Sequence, residues 1–184
     1  MSSRLERRAL VVMLVLAGAW SGAGCAGLKI SSYVGQGVDF RIYHTYAWGA
    51  PDTWSTGDPR LDNNRFFDER VRAQVETALT RCGFEKVASL QPQLLVRYHT
   101  SVSQEIDVRE LGDATSHCPE QTCRPFVSDK GTLAVELVDA HTNTIIWRGV
   151  AEGSFGGVVD DQSWMETRID EAVKKIFSRL PSRT

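Results

Sequence analysis

Residues 93–108 alternate almost without a break. Leu94, Val96, Tyr98, Thr100, Val102 and Ile106 fall on one side of an extended chain, and Arg97, His99, Ser101, Ser103, Glu105 and Asp107 on the other. Such a strand is at home in a sheet with one face on a hydrophobic core and the other in water. The rest of the chain must therefore supply neighbouring strands and a cover for the apolar side. Leu133, Val135 and Leu137 repeat the alternation. After a turn-rich stretch at 139–144, Ile145, Trp147, Gly149 and Ala151 resume it, so residues 132–155 read as a hairpin. Residues 38–48, with Phe40, Tyr43, Tyr46 and Trp48, suit one further strand whose aromatic side chains join the core.

Two amphipathic helices provide the cover. Phe67, Val71, Val75, Ala78, Leu79 and Cys82 recur every three or four residues, with Asp62 or Asn63 as the cap and Gly83 as the stop. Arg65, Arg70, Arg72 and Glu76 lie off that stripe and are expected in solvent, their mixed signs arguing against a dedicated anion site. Met165, Ile169, Ala172, Val173, Ile176 and Leu180 mark the second helix, opening near Asp160 or Asp161 and closing before Pro181. The order strand, helix, three strands, helix predicts a two-layer α+β domain. Its sheet is roughly four-stranded and mostly antiparallel, with both helices on one face. Residues 110–130 form a connection long enough to be functional, mobile or stapled.

The amino terminus bears on compartment. Arg4, Arg7 and Arg8 precede an apolar run of about a dozen residues, too short to span a bilayer, and small residues follow up to Cys25. That order is a secretory signal peptide's. Its end resembles the lipobox of bacterial lipoproteins, in which the chain is cut before the cysteine and the cysteine is acylated. Gly22 stands where that pattern usually has leucine; the alternative is ordinary cleavage to a free secreted protein. Residues 1–24 are then the signal peptide, 25–37 the lipidated cysteine and a flexible tether, and 38–184 a single domain.

The whole chain has 21 Lys and Arg against 23 Asp and Glu. Loss of residues 1–24 removes three cations and one anion, leaving a mildly acidic chain. Without clustered cations, nucleic acid is an unsuitable partner, so the expected partner is the lipid bilayer, through acylated Cys25. Cys118 and Cys123 enclose four residues, and outside the cytoplasm such a pair most often closes a disulfide. With His117 they make three potential metal ligands, one short of a closed zinc site, and free thiols are the third reading. No metal or cofactor is expected.

A catalytic reading finds little support. Gly153-Ser154-Phe155-Gly156 fails the nucleophile-elbow pattern at its last position. His99, Ser101, Ser103, Glu105 and Asp107 are the residue types of a triad. On one strand face, however, such neighbours stand about 6–7 Å apart, beyond hydrogen-bond reach. Arg148 is predicted on the wet face beside Glu136 or Glu152, where an exposed ion pair contributes roughly 0–1 kcal/mol. The functional alternative is a cation aimed at an anionic partner. Arg97 and His99 share that polar face and complete the candidate interaction residues.

The runs from Asp39 to Trp48, Asp58-Pro59, Gly83-Phe84 and Pro92 to His99 resemble the DUF4136 family of bacterial lipoproteins. So do Leu137 to Ala140, Ile146 to Gly149 and Ile176 to Pro181. The resemblance implies an exported, usually lipid-anchored α+β domain with no catalytic residues to carry over; the stretch around Cys118 looks like a local addition. By further resemblance to Gram-negative lipoproteins, Ala26 after the cysteine favours the outer membrane, facing the periplasm. The expectation is a non-enzymatic envelope lipoprotein that meets another envelope component through its polar sheet face and the 110–130 loop. The alternative is a small-ligand or glycan-binding module.

Overall fold

The computed structural model describes residues 27–50, 55–88, 91–107 and 126–182. The elements follow as β1 (Lys29–Val34), β2 (Thr45–Trp48), α1 (Arg65–Arg81), β3 (Glu85–Lys86), β4 (Leu94–Asp107), β5 (Phe126–Asp139), β6 (Ile145–Ser154) and α2 (Gln162–Phe177). One six-stranded sheet has the order β1-β6-β5-β4-β2-β3. It is antiparallel from β1 to β4 and parallel where β2 meets β4 and β3. The parallel β2–β4 pair requires a crossover, and α1 supplies it.

The α+β class and the two helices agree with the sequence, whereas the four mostly antiparallel strands do not. The first correction falls in the expected tether, where residues 29–34 form β1, paired antiparallel with β6. Five of its six residues are exposed. An edge strand held mainly by backbone hydrogen bonds needs no alternation to declare it. The second is β3, whose two residues are too short to carry a period. Third, residues 38–48 are not one strand. Asp39 accepts from Arg41 N and opens a 3₁₀ turn over Phe40–Ile42 before β2 begins. Fourth, β5 starts at Phe126, opposite Asp107, so the long connection is shorter than 110–130. The N-cap of α1 is Asn64, which accepts from Phe67 N; Asn63 instead takes a left-handed φ of 61°. Asp161 caps α2, accepting from Trp164 N.

Both helices lie on the same sheet face. Phe67, Val71, Val75 and Leu79 of α1 and Met165, Ile169, Val173 and Ile176 of α2 share one core with Leu94, Val96, Val135, Leu137 and Trp147. Gly149 sets how closely α2 can approach. A Cβ there would stand 2.5 Å from Ile176 Cγ2 and 2.7 Å from the Trp147 ring. Arg70 of α1 ties the helices together through Asp170 of α2 at 2.7 Å.

The segment from β1 to β2 closes one end of the core with Phe40 and Tyr43. Its lock is the Tyr43 hydroxyl, which donates to Asp139 Oδ2 at 2.6 Å. Asp139 also accepts from Thr142 N and His141 N in the β5–β6 turn. The Tyr43 hydroxyl, then the Thr142 amide, hold its carboxyl below the ordinary value. A lowered carboxylate pKa contributes stability above the unfolded value that disappears as pH falls through the folded one. Tyr43→Phe is therefore expected to flatten the loss of stability below about pH 4 and to cost about 1 kcal/mol near neutrality. Urea unfolding across pH checks both.

Candidate functional site

The face of the sheet opposite the helices carries the three candidate interaction residues. Register aligns Tyr33 on β1, Arg148 on β6, Glu136 on β5 and Arg97 on β4 in one row. His99 follows two positions beyond Arg97. Between core residues Val135 and Leu137, Glu136 necessarily points to this open face, yet it is only 3% exposed. Arg148 Nε donates to Glu136 Oε1 at 2.7 Å, and His99 Nε2 stands 3.3 Å from Oε2. Arg97, paired directly with Glu136 in register, donates from Nη2 to Asn143 Oδ1 at 3.2 Å.

The structure thus brings Arg148 and His99 together on Glu136, places Arg97 in the same row with Asn143 as its partner, and selects Glu136 over Glu152 as the partner of Arg148. It also corrects the exposed ion pair. The carboxylate is shut in while the Arg148 and His99 side chains remain 46% and 40% exposed. The sequence shows a glutamate on a polar face, and its burial arises only when two longer neighbouring side chains converge on it. Arg148 bonds the carboxylate directly, while Arg97, at the neighbouring register position, bonds Asn143 instead. Beside them Tyr33 is 56% exposed, and exposed tyrosine next to arginine is a composition favoured at protein interfaces.

A concavity of 760 Å³ opens where α1, β2 and β4 meet. Trp48 and Tyr98 form its corner, with ring centroids 6.3 Å apart and planes at 87°. Arg72 lies 4.5 Å above Trp48 and 5.9 Å from Tyr98. Asp68, Arg72 and Glu76 recur every four residues along α1, so they share the flank facing this corner. Asp68 accepts from Arg72 Nε at 2.8 Å and the Tyr98 hydroxyl at 2.6 Å. Glu76 accepts from Trp48 Nε1 at 2.8 Å and from Lys86. Burial pushes the Glu76 carboxyl up, but Lys86 and Trp48 together hold it below its ordinary value. Arg70, Arg72 and Glu76 are therefore engaged in contacts, not simply solvated. Phe40, Tyr43 and Tyr46 are core as expected, whereas Trp48 is half-buried.

Cys25, Cys118 and Cys123 lie outside the described residues, as does most of 110–130. Cys82 packs half-buried against the core. Among the described residues no three His, Cys, Asp or Glu side chains converge as a metal site would need. None of the described helices is long and apolar enough to cross a membrane.

The family described as "Domain of unknown function (DUF4136)" matches residues 30–182. A PDZ domain protein from Parabacteroides distasonis is similar in structure with a TM-score of 0.58 and 16% identity. The match covers 84% of this chain and 35% of that one, so this chain spans about a third of that protein's length. A DUF4136 family protein from Bacteroides thetaiotaomicron is similar with a TM-score of 0.53 and 12% identity, over 87% of this chain and 99% of that one. At such identities these likenesses concern the fold alone. No curated protein matches the chain in sequence.

The asymmetry of the Glu136 cluster gives an ordering of mutational effects. Arg148→Met leaves a buried carboxylate short of its principal counter-charge, and the expected loss is about 2 kcal/mol. That is below the roughly 3–5 kcal/mol of a fully buried pair, because Arg148 is half exposed. Glu136→Gln frees an arginine that can turn to water and is expected to cost about half as much or less. Urea unfolding of the two variants measures the difference, and the reverse order would mean that the cluster does not shelter the carboxylate.

Proposed function

The chain belongs to the DUF4136 family, and on that premise we propose that it is a non-enzymatic, lipid-anchored protein of the cell envelope. It presents the open face of its sheet to another envelope component. The observation that carries the reading is the inequality of the two sheet faces. One is covered by α1 and α2; the other carries Arg148, fixed on buried Glu136, with exposed Tyr33 beside it. Fixing the guanidinium in advance reduces the side-chain entropy lost on docking. Its charge suits a partner surface with carboxylates and an apolar contact for Tyr33.

Attachment is through acylated Cys25, with the domain at the outer membrane on its periplasmic side. Supporting this are the signal-like residues 1–24 and the start of β1 at Lys29. Four residues extended span at most about 14 Å, so the domain sits close against the bilayer. Cys118 and Cys123 close a disulfide in this reading. The small-ligand alternative draws on the cleft at Trp48 and Tyr98.

Cys25→Ala is expected to abolish fatty-acid labelling and to move the protein from the membrane to the soluble fraction; continued sedimentation with membranes would count against the anchor. A photo-crosslinking residue in place of exposed Ser31, two positions along β1 from Tyr33, is expected in living cells to give one adduct of discrete mass. The same residue at Lys174, on the helical layer, should give none. Equal adduct patterns from the two positions would remove the sheet face as the docking surface.

A further inference from the structure

The sheet-face reading leaves the cleft at the Trp48–Tyr98 corner without a role. We propose that it binds a small organic carboxylate presenting a ring. Its 760 Å³ falls within the range of small-molecule sites, and its hydrogen-bonding demand is one-sided. Among the described residues, the hydrogen bonds of Arg72 run from Nε to Asp68, which leaves its two terminal amino groups without a hydrogen-bond partner there. Arg97 lines the same cleft and donates only from Nη2, to Asn143. Its stem lies so close over Gly49 that a Cβ there would stand 3.0 Å from Arg97 Cγ and Nε. The carboxylates of the lining are already satisfied. Asp62 accepts from Thr56 and Ser55, and Asp68 from Arg72 and Tyr98. The cleft therefore offers unspent donors in guanidinium geometry, which a carboxylate fills with two parallel hydrogen bonds.

The aromatic corner restricts the ligand further. Trp48 and Tyr98 are each held by the polar tip, through Glu76 and Asp68, so the corner is set in advance. Two fixed rings nearly at right angles offer apolar surface that a bare inorganic anion cannot use and a ring can. Arg72, resting on Trp48, keeps its charge directed by Asp68 without losing its outer amino groups to it. The proposal stands apart from docking at the sheet face, with which it shares Arg97.

Calorimetric titration of the full-length chain in detergent tests this, with benzoate and glucuronate as probes and with benzyl alcohol and glucose as their neutral counterparts. The expected result is saturable binding of at least one acid and of neither neutral compound. Which acid binds separates aromatic from sugar carboxylates. Binding is accompanied by a shift of the Trp48 indole N–H resonance, assigned through Trp48→Phe. Arg72→Gln and Arg97→Gln are each expected to weaken it by about tenfold or more. Arg97→Gln, at a half-buried position outside the core, carries the test if Arg72→Gln does not fold. The proposal is overturned if a neutral counterpart binds as well as its acid, or if inorganic phosphate displaces the acid at equal affinity. It is equally overturned if the folded variants bind unchanged, or if neither acid binds saturably.

Discussion

The seating of α2 on β6 is the contact on which the remaining structure depends. Trp147 is wholly buried there, its ring 5.5 Å from that of Phe177, and Gly149 leaves the space that Ile176 and Trp147 fill. Full burial of a large apolar side chain contributes roughly 1.5–3 kcal/mol, against about 1 kcal/mol net for a hydrogen bond. The inner face thus decides which side of the sheet is closed. Trp147 Nε1 finds no partner among the described residues, so its desolvation has to be outweighed by burial of the ring. Once the helices cover that face, the odd-numbered residues from Arg97 to Glu105 on β4 and Glu136 on β5 are left on the other, where Val138 is nonetheless fully buried. The polar face follows from the apolar one.

What could be read in the sequence follows the same division. β4, the hairpin of β5 and β6 and both helices announce themselves because burial imposes a period on them: Leu94 with Val96, Val135 with Leu137, Val71 with Val75. β1 and β3 escape because edge strands gain backbone pairing without burying alternate side chains. Ser31, Ser32, Tyr33 and Val34 are all exposed and therefore resemble a linker. Phe40 and Tyr43 reveal themselves as core, but not as a turn, since the turn is made by Asp39 bonding to Arg41 N. Of the open-face cluster, Arg148, Arg97 and His99 were legible from strand parity. The burial of Glu136 was not, because it depends on the lateral register of three strands. The aromatic corner was hidden for a similar reason. Trp48, Tyr98 and Arg72 come from β2, β4 and α1, and no spacing along the chain joins them.

The two sites share a device. In each, a carboxylate with little freedom holds an arginine against a surface: Glu136 holds Arg148 on the sheet, and Asp68 holds Arg72 over Trp48. A half-exposed arginine left alone samples many rotamers, and fixing it on binding would cost up to about 1.5 kcal/mol. Internal pairing meets that cost during folding instead. The pairing is incomplete by construction, because each carboxylate has other donors and each guanidinium more than one edge. Enough hydrogen-bonding capacity remains facing outward to meet a second acidic group. Along α1 the mixed charges are largely paired in space, Arg65 with Glu69, Arg72 with Asp68 and Glu76 with Lys86.

The position of β1 gives the proposed anchor a geometric consequence. A tether of a dozen residues would let the domain stand well off the bilayer, whereas in the proposed arrangement only residues 26–28 separate Cys25 from the paired strand β1. From Lys29 to Tyr33, β1 advances about 13 Å, and Cys25 to Lys29 adds at most about 14 Å. In the proposed arrangement Tyr33 therefore lies within about 27 Å of Cys25, with Arg148 and Glu136 one and two strands farther across the sheet. Since β1 pairs directly with β6, the edge nearest the anchor is also the edge nearest Arg148. In the proposed arrangement a partner engaging this face would itself be close to the membrane. In the proposed lipid-anchored arrangement the short link would keep the β1 edge near the bilayer, and lengthening it would let the domain move farther away while leaving the attachment intact.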